Sequence, residues 1–74
     1  MDLTLLRSFL SVAETGAITE AAERIGITQP ALSRRLQQLE EHLGVKLLVR
    51  GRKGVVLTEI GRLVQSEAQG IVAH

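Results

Sequence analysis

The 74-residue sequence has no cysteine, which excludes disulfides and thiolate metal sites and permits a cytosolic setting. Nor does it contain an apolar run approaching the roughly 20 residues that a membrane-spanning helix needs. Met1 is followed at once by Asp2, without the basic leader of an export signal. A soluble, cytoplasmic protein is therefore expected. Histidine is equally scarce: His42 and His74 are the only two, and neither has the partners of a metal site or a catalytic triad. Ser33 and Ser66 lack a glycine elbow or a neighbouring base, and the glycines match no phosphate-cradling loop. No enzymatic activity, metal or cofactor is expected. The length fits one small domain, and an apolar share of 45% supplies a single core with no room for a large cleft.

Net charge is also low, at +1, but it is distributed unevenly. Residues 1–23 set Arg7 against Asp2, Glu14, Glu20 and Glu23 and are acidic. Arg24, Arg34 and Arg35 then occur with no acid before Glu40, and Lys46, Arg50, Arg52 and Lys53 occur with none between Glu41 and Glu59. A basic surface is expected on the middle of the chain, the footprint of a polyanion-binding face.

What the sequence does contain is helical spacing. Leu3, Leu6, Leu10 and Ala13 recur at steps of three and four, with Leu5, Phe9 and Val12 as a second stripe beside them. Two stripes call for two neighbours, one of them an element later in the chain or in a partner. Gly16 should end this helix, Thr19 should cap a short second helix through Ile25, and Gly26 should supply a turn. Ala21 and Ala22 are small enough to let another helix approach closely. Thr28 is placed to cap a third helix, with Pro30 in its first turn where a missing N–H costs little. At about 100° per residue, Leu32, Leu36, Leu39 and Leu43 fall on one stripe, while Pro30, Ser33, Arg34 and Gln37 point the other way. Two short helices meeting across a turn, the second with a polar outer face, read as a helix-turn-helix.

Beyond Gly44, Val45, Leu47 and Val49, then Val55 and Leu57, alternate around a glycine-bounded basic loop, the pattern of a β-hairpin with Arg52 and Lys53 at its tip. Thr58 should cap a last helix in which Ile60, Leu63, Val64, Ala68, Ile71 and Val72 keep helical spacing. The fold expected is mainly α: a winged helix-turn-helix with a three-helix core, a β-hairpin wing and a C-terminal linker helix. Residues 1–58 form the winged unit and residues 59–74 begin the linker.

These residues resemble the amino-terminal domain of LysR-type transcriptional regulators. The resemblance is carried by LRSFLSVAETGAITEAAERIGITQPALSRRLQQLEEHLGVKLLVRGRKGVVLTEIG, with its AA pair, TQPALSR, QLEEHLG and VxLTxxG in the family's order. It implies a sequence-specific double-stranded DNA-binding domain acting as a dimer on an interrupted inverted repeat. It also implies base contacts from Gln29, Pro30, Ser33 and Arg34, and backbone contacts from Thr19, Thr28, Arg35 and Arg50. Arg52 and Lys53 would be the wing contacts, and Leu63, Ala68, Ile71 and Val72 the dimer contacts. A tetramer in a full-length parent and a small-molecule effector bound by a further, absent domain follow from the same resemblance. Ala17-Ile18 stands where the family often has Ser-Phe, Leu48 where it often has Phe, and Lys53 where arginine is common. The last matters most, because lysine lacks the planar fork suited to a narrow minor groove. The competing reading is a winged-helix protein-interaction module that holds a partner through its apolar helices.

Overall fold

The computed structural model describes residues 3–52 and 54–72. In chain order these form α1 (Leu3–Thr15), α2 (Ile18–Ile25), α3 (Gln29–Leu43), β1 (Leu48–Gly51), β2 (Gly54–Leu57) and α4 (Glu59–Val72). The two strands pair antiparallel in the register Leu48 with Leu57, Val49 with Val56, Arg50 with Val55 and Gly51 with Gly54. Arg52 lies in the connecting turn; the wing contact expected of Lys53 lies outside the described residues.

One core unites all four helices. Leu6, Phe9 and Val12 of α1 meet Ala21 and Ala22 of α2, Leu32, Leu36 and Leu39 of α3, Leu47 of the entry to the hairpin, and Ala68 of α4. The second neighbour required by α1 is thus α4 of the same chain. The buried face of α1 also takes in Ser8 and Ser11, which the apolar spacing alone did not reveal. Ser8 Oγ donates to the Thr4 carbonyl at 2.8 Å, the back-bond that lets a hydroxyl enter a packed helix face.

The helix ends follow from local hydrogen bonding. Thr28 caps α3 as expected, its Oγ1 accepting from Ala31 N–H at 3.3 Å, and Gly44 closes that helix in the left-handed conformation. Thr58 likewise caps α4, accepting from Gly61 N–H at 2.9 Å. The cap expected at Thr19 is not formed. The second helix starts earlier, with Ala17 at the cap position and no side-chain bond there, because Ala21 N–H already donates to the Ala17 carbonyl at 3.1 Å. Thr15 organises that turn instead, its hydroxyl accepting from Ala17 N–H at 3.3 Å. Thr19 sits exposed within the first turn of α2.

Three apolar assignments also change. Leu43 leaves the leucine stripe of α3 at its carboxyl end and is 37% exposed. In the hairpin, Leu47 is buried before the strand begins, so the alternation shifts by one residue: Leu48 faces the core and Val49 faces solvent. Ala68, expected at a dimer contact, is 1% exposed in the core of its own chain, and Val72 also packs against that core.

Candidate nucleic-acid interface

The outer face of α3 is polar because its inner face is leucine. Gln29, Pro30 and Arg34 are exposed in its first two turns, ahead of Gln37, while Ser33 is half-buried. Thr28 completes this end by accepting from the Ala31 N–H, and the positive end of the helix dipole lies there. A helix whose amino end is this exposed can enter a major groove and bring a glutamine amide, a hydroxyl and a guanidinium to base edges.

The hairpin stands beside this face. Arg50 shares a side of the sheet with Leu48 and Val55, so its position in the register turns it toward α3 rather than outward. Its Nη2 donates to Ser33 Oγ at 3.2 Å, joining the strand to the helix. The groove between them is lined by Ser33, Gln37, Glu40, Lys46, Val49 and Arg50. The hairpin is held from behind as well, where Val55 N–H donates to the Gly16 carbonyl at 3.0 Å. Gly54 is obligatory at that contact: its φ is +132°, and a Cβ there would fall on the Gly16 carbonyl oxygen.

The cations separate into two groups. Arg24 pairs with Glu14 at 3.4 Å and with Glu20 at 3.8 Å, which removes it from the basic face that its sequence neighbourhood had suggested. Arg35 turns toward α1, where its Nη1 donates to Ser8 Oγ at 3.2 Å. Among the described residues, Arg34, Arg50 and Arg52 form no ion pair with an acid. The structure therefore brings Ser33 of α3 and Arg50 of the hairpin together, with Gln29, Pro30 and Arg34 exposed on the same helix and Arg52 at the hairpin turn, while Thr19 stands on α2 and the Arg35 side chain turns from α3 toward α1. No metal-binding cluster of three His, Cys, Asp or Glu exists among the described residues. None of the described helices is long and apolar enough to cross a membrane.

The family model for bacterial regulatory helix-turn-helix proteins of the lysR family matches residues 3–62. The chain belongs to the lysR family. It is 47% identical over 73 residues to an uncharacterised HTH-type transcriptional regulator of Azotobacter vinelandii, covering 99% of this chain and 51% of that protein. It is 48% identical over 71 residues to the SDS degradation transcriptional activation protein of Pseudomonas sp. (strain ATCC 19151), covering 96% of this chain and 23% of that one. Among solved structures, the LysR family transcriptional regulator CbnR superposes with a TM-score of 0.95 at 38% identity, over 99% of this chain and 25% of CbnR. The BenM DBD in its complex with catB site 1 DNA superposes with a TM-score of 0.94 at 41% identity, over 99% of this chain and 82% of that one. The chain thus spans about half or less of the curated lysR-family relatives named here.

One half-buried acid beside this face was not singled out by the sequence. Glu40, noted there only as an acid between basic stretches, is largely buried, and its Oε2 accepts from Leu47 N–H at 2.7 Å and Leu48 N–H at 3.3 Å. Its signal was available only in retrospect: an acid on the flank of α3 just before a glycine that turns the chain back over it.

Proposed function

We propose that this lysR-family domain binds double-stranded DNA sequence-specifically, with the amino end of α3 in the major groove and the hairpin against the adjacent backbone or minor groove. The observation that carries this reading is the link from Arg50 of the hairpin to Ser33 near the exposed, capped end of α3, with Arg34, Arg50 and Arg52 free of acidic partners among the described residues, on a fold shared with a domain solved on DNA. Gln29, Pro30, Ser33 and Arg34 read base edges, Thr19, Thr28, Arg35 and Arg50 position the domain on phosphates, and Arg52 and Lys53 reach from the wing. Ser33 has a double role in this scheme, since it also orients Arg50. Residues 1–58 are the reading unit, and residues 59–74 begin a linker helix. DNA is a bound partner here, with no chemistry done on it, and the setting is cytoplasmic.

The experiment is a titration of Gln29→Ala and Arg50→Ala on a selected site and its scrambled version at several salt concentrations. Gln29→Ala is expected to erase about 1–3 kcal/mol of discrimination at one base pair. Arg50→Ala should instead weaken binding on both sequences and lower the salt slope by about one, as loss of a phosphate contact does. Specificity lost with Arg50 but kept without Gln29 would reverse these roles.

The lysR-family domain acts as a homodimer through α4 in this proposal, on an interrupted inverted repeat, with tetramers and effector binding belonging to a longer protein. Leu63 and Ile71 are each 56% exposed and Ile60 is 39% exposed, an apolar face that suits a second copy. Leu63→Glu is expected to shift the domain to monomer in sedimentation while changing stability by no more than about 0.5 kcal/mol, as surface substitutions do. If its melting collapses instead, Leu63 serves the fold.

A further inference from the structure

The chain between α3 and β1 is gripped from two sides. From α3, Glu40 takes the N–H groups of Leu47 and Leu48 on one carboxylate oxygen, and its other oxygen lies 3.7 Å from Lys46 Nζ. From the start of α4, Thr58 Oγ1 donates to the Lys46 carbonyl at 2.7 Å, and Thr58 N–H donates to the Leu47 carbonyl at 2.9 Å. Two N–H and two carbonyl groups of residues 46–48 are therefore held by Glu40 of α3 and Thr58 at the start of α4. The Glu40 side chain is only 15% exposed, whereas Lys46 is 82% exposed, so the ion pair with Lys46 is weak and the backbone N–H groups are what the carboxylate serves.

We propose that Glu40 is the positioning residue of the wing. By holding Leu47 and Leu48 from the last turn of α3, it fixes the angle at which β1 leaves the helix, so that Arg50 and Arg52 address the same ligand surface as Gln29 and Arg34. Wing and helix then act as one rigid reader instead of a helix with a loosely tethered basic loop. The inference rests on the DNA-binding reading for its purpose but not for its geometry.

The test compares Glu40→Gln with Glu40→Met. A glutamine carbonyl can accept from both N–H groups; methionine fills similar space and accepts from neither. Amide hydrogen exchange on the free domain should show Glu40→Met losing about tenfold or more protection at Leu47, Leu48 and the β1–β2 ladder, with α1–α3 unchanged, and Glu40→Gln close to wild type. On duplex DNA, Glu40→Met should lower the salt slope as Arg52→Ala does, and adding Arg52→Ala to it should lower it no further. If Glu40→Met does not fold, Glu40→Asp, one methylene too short to reach, makes the same comparison. Unchanged ladder protection in Glu40→Met, or Glu40→Gln matching Met, overturns the proposal. Because the exchange arm contains no DNA, it decides the latch by itself, and a wild-type domain that failed to bind a duplex would count only against the DNA-binding reading.

Discussion

Phe9→Ala is expected to cost about 3–5 kcal/mol, a large fraction of the stability of a domain this size. Phe9 is the sole aromatic residue of the chain and is fully buried, on the one helix that packs against α2, α3 and α4. At roughly 0.05–0.15 kcal/mol per residue, a chain of this length has about 4–11 kcal/mol in total. A cavity left there cannot be closed by one neighbour moving in, because three helices would have to shift together. Thermal denaturation should show a fall of at least about 12 °C, given about 4–8 °C per kcal/mol for small domains. Phe9→Leu should recover most of the loss. A melting point within about 4 °C of wild type for Phe9→Ala would mean that the core rests elsewhere.

Gly61→Ala should also destabilise, against the direction that helix propensity predicts. Alanine is favoured over glycine inside a helix by about 1 kcal/mol. At position 61, however, a Cβ would land on the Leu47 carbonyl oxygen, which is backbone and is already held by Thr58 N–H. Overpacking against atoms that cannot rotate away costs about 1–3 kcal/mol, so the clash outweighs the propensity. Gly70 in the same helix supplies the control, since nothing lies within 4 Å of a Cβ built there. Gly70→Ala should stabilise by up to about 1 kcal/mol. Urea denaturation of the pair should give shifts of opposite sign; two shifts of the same sign would remove the contact between α4 and residue 47 as an explanation.

These two glycines illustrate what the sequence could and could not convey. In the sequence both merely interrupt a helical pattern; only the fold shows that one of them touches another segment. The three-helix core, the hairpin and the caps at Thr28 and Thr58 were legible because each depends on residues close together in the chain. Thr19 misled for the same reason, since a threonine ahead of apolar spacing is a cap signal, yet the carbonyl that opens the helix belonged to Ala17. Leu47, Val55 and Leu57 face the core as their spacing indicated, but Val49 was misread: Leu47 is buried ahead of the strand and Leu48 then turns inward, a shift at the strand's entry that no period-two pattern encodes. The exposed face of α3 could be listed from spacing alone, whereas the link from Arg50 to Ser33 and the turning of Arg35 toward Ser8 are contacts across 17 and 27 residues. Glu40 belongs with these, because its partners are backbone groups, which leave no trace in residue identity.

The placement of Ala68 inside and Leu63 and Ile71 outside divides α4 lengthwise. Self-association along the outer strip would draw on none of the atoms that hold a single copy together, so the separation between two readers could drift by substitutions on that strip while each reader stayed intact. In the proposed dimer, changes on that strip would alter how two copies pair while leaving Ala68 and the core it fills untouched.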